Sequence, residues 1–554
     1  MTTTSPNLTT HSRTAAVDAA PVGDIKGAFG TISTEDTGSR RSMSAKLKTL
    51  LAIVGPGLIV MVGDNDAGAF STYGQAGQSY GTKLLWTFLL LVPVLYVNQE
   101  MVLRLGAVTG VGYAKLLLER FGRFWGAFSV INLFILNALT LITEFIGVAL
   151  ATSYLGVPKV LGVALAGLVI VLAASTGSLR RFERMAMIFC VGSLLLIPLY
   201  VIAHPPVGQM ARGFAIPSLP GGSGGLSTVL LLIIGIVGTT IAPWQLFFQQ
   251  SYVIDKRITP RFMRYEKADL WIGIVIVVVG GAALMGATAA AFAAVHHGQF
   301  TDAAGLASGI AAYAGHAAGA LFAVALLDAS MIGAFAVSLS TAYAVGDFLG
   351  LKHSLHRGVK QAKGFYAMYA ALIALAAIVV LIPGSPLGLF TVGVQVLAGV
   401  LLPSATVFLL MLCNDKEVLG PWVNGKGSNI AACIVIGALV VLSVILMASV
   451  LFGSVSSTGV MGILAGGVTF GVVAAAVIGV RGWRRRQLGL VRAPHPGKSM
   501  DAKTKENWRM PPLAMLAPVK MSTGRRVAML AMWAYLAVAF VLVIVRIIEL
   551  AIGH

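Results

Sequence analysis

Gly55-Pro56-Gly57-Leu58-Ile59-Val60-Met61-Val62-Gly63-Asp64-Asn65-Asp66-Ala67-Gly68-Ala69 decides how this chain is read. Its flanks are apolar enough to enter a bilayer, but the run from Gly63 to Ala69 sets two carboxylates, an amide and two glycines near mid-membrane depth. A continuous helix is poorly supported there. Glycine brings no side chain to pack, Asn and Asp compete for nearby backbone groups, and a charge at that depth must face protein, water or an ion. The stretch predicts an unwound segment lining a cavity. A second stretch, Gly238-Thr239-Thr240-Ile241-Ala242-Pro243-Trp244-Gln245, repeats the anomaly, because Pro243 frees an upstream carbonyl and bars regular helix geometry around it.

Around these two stretches the chain reads as membrane. Of 554 residues 57% are hydrophobic and 11% charged, and the mean hydropathy of +0.86 excludes a water-soluble globular chain. Apolar runs of about 18 residues or more recur, each long enough to cross a hydrocarbon core of roughly 30 Å as a helix. Segments such as 84–97 and 434–450 lack the alternation of barrel strands, so the expected fold class is an all-α polytopic membrane protein. We divide the runs into thirteen spans, near 51–76, 84–100, 126–152, 158–176, 185–203, 228–248, 269–295, 316–345, 366–384, 387–412, 428–453, 457–480 and 526–549. Cys190, Cys413 and Cys433 lie in or beside these runs without metal-ligand spacing and are expected to pack, not to form disulfides.

The net charge of +19 reads as topology. With the N-terminus in the cytosol, only Lys83, Lys159, Arg212 and Arg546 of the 40 Lys and Arg fall outside, as the positive-inside rule requires. That places a multi-pass protein in the cell membrane and leaves nucleic acid without a case. The clusters Arg180, Arg181, Arg184 and Lys256, Arg257, Arg261, Arg264, Lys267 are expected to face anionic lipid at the cytosolic surface. So is the basic loop that begins with Arg484, Arg485 and Arg486. The expected organisation is a disordered cytosolic tail over 1–48, five-helix repeats over 49–204 and 228–413, peripheral spans over 427–480, the basic loop over 481–526 and a last span over 526–550. No protein partner and no resident cofactor follow from any of this.

The two interrupted spans are five spans apart, an odd number, so they run in opposite directions and the blocks that they open have inverted topology. Secondary transporters built this way bind at the midplane between two discontinuous helices, where freed carbonyls coordinate cations. Asp64 and Asp66 separate this reading from two packing kinks, since intramembrane acids are functional by default.

The run from Gly55-Pro56-Gly57 to Asp66-Ala67-Gly68-Ala69-Phe70-Ser71-Thr72, followed by Gln75-Ala76-Gly77, resembles helix one of the Nramp divalent-metal transporters, whose motif is Asp-Pro-Gly-Asn. Arg104-Leu105-Gly106-Ala107-Val108-Thr109-Gly110 is similar to the end of their second helix and Glu144-Phe145-Ile146-Gly147 to their third. Ala242-Pro243-Trp244 stands where helix six has Met-Pro-His. The resemblance implies the leucine-transporter fold, with two inverted five-helix repeats, discontinuous helices one and six and added C-terminal helices. It also implies transport of a divalent cation.

Departures from that family bear on the cargo. The resemblance implies a metal held by Asp and Asn of helix one, Met of helix six, backbone carbonyls and a Gln of helix ten. Here Asp66 is kept and Gln395 falls at the Gln position, but Ala69 replaces the Asn and Ala242 the Met. Loss of the thioether leaves hard oxygen donors, which suit magnesium. Two alanines also predict a wider cavity for an ion that sheds its water reluctantly. Asp64, Asn65 and Gln245 would bond to those waters, or Asn65 and Gln245 only satisfy freed backbone. This pattern resembles the Nramp-related magnesium transporters.

Proton coupling in the family implies two histidines on helix six and an Asp near the Glu of helix three. Trp244 and Gln249 occupy the histidine positions and Leu141 the Asp position, which leaves Glu144 alone as a titratable group. With Pro243 and Gly68 these are the coupling and gating candidates. The expectation is uncoupled uptake of Mg2+, and of Mn2+, driven by the membrane potential. For a divalent ion 100 mV supplies about 4.6 kcal/mol, roughly three decades of accumulation. The alternative is a proton-coupled Mn2+ or Fe2+ importer. An amino-acid symporter would place an anionic group against Asp64 and Asp66, and an intramembrane aspartyl protease would need Gly-x-Gly-Asp where this chain has Met61-Val62-Gly63-Asp64. An enzyme is not expected. Asp328 in span eight is a further intramembrane acid, His296 and His297 read as an external loop, and Glu100 and Asp347 read as hydrated span ends.

Overall fold

Pro56 and Asp66 each open a helix, so the first span is broken twice, into α1 (Met43–Ile53), α2 (Pro56–Val62) and α3 (Ala67–Tyr80). α1 and α2 meet at 56°. The bend passes through Gly55, whose φ of +157° suits glycine and where a side chain would collide with Glu183. Lys256 Nζ donates to the last carbonyls of α1, Ile53 O at 2.7 Å and Val54 O at 2.8 Å. Asp269 Oδ2 accepts from Gly57 N–H at 2.7 Å and Gly55 N–H at 3.2 Å at the start of α2. A cation thus meets a helix C-terminus and an anion a helix N-terminus, the polarity that both dipoles favour.

This computed structural model describes residues 23–36, 38, 40–220, 225–293, 302–383, 387–451, 457–487 and 501–516, with isolated residues between 529 and 541. After α3 come α4 (Trp86–Thr109), α5 (Tyr113–Phe121), α6 (Arg123–Tyr154), α7 (Lys159–Ala174), α8 (Leu179–Gly192), α9 (Leu196–Ala203) and α10 (Val207–Ala215). The second half holds α11 (Gly225–Thr240), α12 (Pro243–Asp255), α13 (Met263–Ala293), α14 (Ala303–Ala314), α15 (His316–Leu349), α16 (Lys363–Val380) and α17 (Leu387–Cys413). Then follow α18 (Lys416–Leu419), α19 (Lys426–Leu451), α20 (Ser457–Gln487) and α21 (Ala502–Asn507). Among the described residues nine helical segments are long and apolar enough to cross a membrane, or ten with the bent α1–α2 pair. Of the thirteen expected spans, span one is broken, and α7 and the apolar Thr458–Val473 part of α20 are shorter than this length. Span thirteen falls outside the described residues except at isolated positions, as do His296 and His297 entirely. The short helices α5, α10 and α14 have no counterpart among the expected spans.

Packing shows the two repeats interlocked. The broken α2 and α3 lie against α13, the second helix of the other repeat, while the broken α12 lies against α4, the second helix of the first. α6 and α15, each third in its repeat, cross each other, and α11 pairs with α17. Such an exchange is what inverted repeats produce, and it brings the two helix breaks face to face in the interior.

Three expectations are corrected. Residues 23–48 do not belong to a disordered tail: Ile25–Lys26 (β1) and Thr31–Ile32 (β2) pair as an antiparallel hairpin. The basic clusters turn inward to hold it. Arg180 donates to Gly27 O, at 3.1 Å, and to Thr31, Arg184 to Ala28 O at 3.1 Å, and Arg261 to the carbonyls of Asp36 and Gly38. Lys256 is fully buried, 2.5 Å from Glu183, which also accepts from Ala28 N–H at 2.6 Å. Arg181 and Arg264 remain exposed. Glu100 and Asp347 are paired, not hydrated: Glu100 with Arg104 at 3.1 Å and Lys267 at 2.9 Å, Asp347 with His353 at 3.2 Å. Burial opposes charge on His353, but the Asp347 carboxylate outweighs it and raises the imidazole above its ordinary pKa. Part of the basic loop docks as well, with Trp422 Nε1 donating to Lys505 O at 2.9 Å and the Lys505 ammonium 4.5 Å from the Trp422 ring centre. Cys190 and Cys413 are buried, whereas Cys433 is exposed, and all three are free.

Candidate functional site

Between α2 and α3 the chain leaves helical geometry at Asp64 and Asn65, and Asp66 restarts it as the N-cap. Asp66 Oδ1 accepts from Ala69 N–H at 2.8 Å, and Glu144 Oε2 on α6 accepts from Ala67 N–H at 3.2 Å. Two acids therefore take up donors at the head of α3 that an anionic substrate would need, which disfavours a carboxylate ligand there. The carboxyls of Asp66 and Glu144 come together beside Gly333 of α15. On the other side Thr239 Oγ1, near the end of α11, donates to Asp66 Oδ1 at 3.4 Å.

The second break runs from Thr240 to Ala242. Pro243 is the first residue of α12, where its missing N–H removes no hydrogen bond, and Ala242 is the N-cap without a side-chain cap. The break is tied to the first through Gln245, whose Nε2 donates to Asp64 Oδ1 and, at 3.2 Å, to Thr240 O. Gln99 Nε2 of α4 donates to Gln245 Oε1 at 2.7 Å, and Tyr73 OH meets Thr240 Oγ1 at 2.6 Å. Asp64 Oδ2 keeps no partner. Gln395 of α17 lies between the breaks: its side-chain amide abuts Gly68, where a Cβ would overlap it, and its backbone carbonyl abuts Gly238. Gln395 Nε2 is also without a partner.

The structure brings Asp64, Asp66, Gln245, Glu144, Gln395, Gly68, Ala69 and Ala242 together around the two breaks. It does not bring Asn65 with them. The Asn65 side chain turns to the opposite side, toward Gly280 of α13, because the residue between Asp64 and Asp66 in a non-helical turn projects away from both. Gln249 is fully buried, yet neither of its amide atoms has a partner. Trp244 packs against Gly63 and donates no proton to the site, while its backbone carbonyl accepts from Ser340 Oγ at 2.8 Å. The wider chamber expected from the two alanines does not show among the described residues, where Asp64, Asp66, Gln245, Gln395, Ala69 and Ala242 are each at most 3% exposed. Gln99 and Thr239 were not foreseen as parts of the network.

Among the described residues no three His, Cys, Asp or Glu side chains converge as a fixed metal centre. The donors are carboxylates, amides and hydroxyls, with the C-terminal ends of α2 and α11 pointing at the same region. These side chains bring no sulfur and no imidazole, and their carboxylates make the region acidic. A narrow cleft lined by Phe128, Leu136, Pro243, Phe247 and Phe408 reaches the second break from outside the polar cluster.

Inverted repeats, two interrupted helices and buried acids between them define a membrane transporter for cations. The comparisons narrow the class. Residues 57–449 match the family described as natural resistance-associated macrophage protein-like. The divalent metal cation transporter MntH of Ralstonia nicotianae is 29% identical over 422 residues, 73% of this chain and 92% of that protein. The crystal structure of an Eremococcus coleocola manganese transporter, in complex with an aromatic bis-isothiourea substituted compound, superposes with a TM-score of 0.63 at 23% identity, covering 82% of this chain and 98% of that one. The chain belongs to the Nramp family of divalent metal cation transporters; it is not an enzyme.

Proposed function

We propose that this transporter carries Mg2+, and Mn2+ beside it, as a largely hydrated ion driven by the membrane potential alone. The observation that supports this most is the donor set at the two breaks. Asp66 and Asp64 offer carboxylate oxygen, Gln245 and Gln99 form a chain that orients Asp64, Gln395 brings an amide beside Gly68, and Ala242 offers no sulfur. Oxygen donors with one or two carboxylates are how magnesium is held while it keeps several waters. Parting of α2–α3 from α11–α12 would open room for those waters. We infer further that the face bearing the hairpin is cytosolic in the cell membrane and that Arg181 and Arg264 meet anionic lipid there.

A second reading, proton-coupled uptake of Mn2+ or Fe2+, has one observation in its favour, the Glu144 carboxyl beside Asp66. One assay decides between them. In proteoliposomes held inside-negative, Mg2+ and Mn2+ should both enter while interior pH stays constant. Manganese flux without magnesium flux would sink the selectivity, and acidification that tracks the metal would sink the uncoupled mechanism.

A further inference from the structure

We propose a second cation site on the far side of the first helix break, built from Asn65, Ser193 and Asp328. It deepens the reading above by naming a second stop for the same divalent cargo. Asn65 is 3% exposed and neither Oδ1 nor Nδ2 has a hydrogen-bond partner. It lines a small cleft, with room for about one water, that also holds Ser193, from the turn between α8 and α9, and Asp328 of α15, with Val62, Phe70 and Leu196 as apolar walls. Asp328 Oδ2 likewise has no partner, and Asp328 is in no ion pair among the described residues. Ser193 Oγ donates its proton to Cys190 O at 2.8 Å, so toward the cavity it offers lone pairs only.

One carboxylate, one amide and one hydroxyl, from three different elements, therefore line the same cleft. An unpaired acid and an unpaired amide at this depth need a counter-charge, because lipid supplies none. One carboxylate with neutral oxygens matches a small divalent cation that keeps at most one water in this cleft. Small residues keep the place open. A Cβ at Gly192 would overlap the Asp328 carboxyl, and a Cβ at Gly280 would crowd the Asn65 amide. Asp64 and Asp66 project to the other side of the same turn, so a single backbone break carries two sites back to back. An ion released from Asp66 needs only to pass this turn to reach Asp328.

The test counts ions on the full chain in nanodiscs, using Mn2+ alone with paramagnetic-resonance detection of free metal. Wild type should bind two Mn2+ per chain, Asp328→Asn one, and Asp66→Ala the other one. Ser193→Ala, which leaves the carboxylate in place, should weaken the Asp328-dependent ion by about tenfold without touching the Asp66-dependent one. Two ions retained by Asp328→Asn would overturn the proposal. So would a wild-type count of one that Asp66→Ala abolishes, or an Asp328→Asn variant that alters only the pH profile of flux. Loss of the Asp66-dependent ion from the wild-type count, with the Asp328-dependent one intact, would instead sink the reading of the first site.

Discussion

Asp66 works twice, as the cap of α3 through Ala69 N–H and as the charge at the two breaks. Asp66→Ala removes both, and losing such a cap costs about 1 kcal/mol of stability. Asp66→Asn keeps a capping oxygen and removes only the charge. Both variants should lose metal uptake in proteoliposomes; wild-type flux through Asp66→Asn would show that the charge does not hold the ion. Ala242→Met restores a thioether at the break and should favour Mn2+ or Cd2+ over Mg2+ by about tenfold in competition uptake, close to 1.4 kcal/mol. Unchanged selectivity would mean that residue 242 faces away from the cargo. Asp66 and Pro243 are legible in the sequence because an acid and a proline stand out against an apolar run. Gln99 is not, since Asn98-Gln99-Glu100 reads as the wet end of a span until α4 packs on α12 and sets it on Gln245. The direction of Asn65 is equally hidden, because no periodicity governs a residue in a non-helical turn.

At the scale of elements, the α1–α2 hinge rests on a pair of opposite charges out of contact with water. Lys256 bridges the end of α1 to Glu183, and Asp269 holds the start of α2. Removing one member of such a pair strands the other. Lys256→Ala should therefore destabilise the protein by about 3–5 kcal/mol, and Lys256→Met combined with Glu183→Leu should recover most of it, as read by unfolding in detergent. Equal stability of the single and double variants would mean that the pair carries no such penalty. The sequence shows the Gly55-Pro56-Gly57 bend but not its clamp, because Lys256 and Glu183 are 73 residues apart and each looks like part of a surface basic or amphipathic run. The hairpin is invisible for a different reason. Two strands of two residues carry no pattern, and their order comes from Arg180, Arg184 and Arg261 on helices and loops far along the chain.

Across the whole molecule the broken helix of each repeat is packed on the second helix of the other, so neither half can tilt alone. A change of exposure from one face to the other must then shift each broken helix against the second helix of the other repeat. The inverted architecture is legible from two interruptions in a row of otherwise uniform spans; the burial of the site and the interlock are properties of packing and leave no trace in composition.

The hairpin sits across this motion like a bolt on a door. Gly27 lies against Ala52 of α1 while Ala28 is fastened to Glu183 of α8, so the leaf and the frame are joined by the same two residues. Cutting the chain back to residue 38 would draw the bolt. The shortened transporter should swing open on that face more often, so that a cysteine placed at Val62, buried at the end of α2, reacts with a water-soluble maleimide several times faster than in the full chain; an unchanged rate would mean that the latch holds nothing shut.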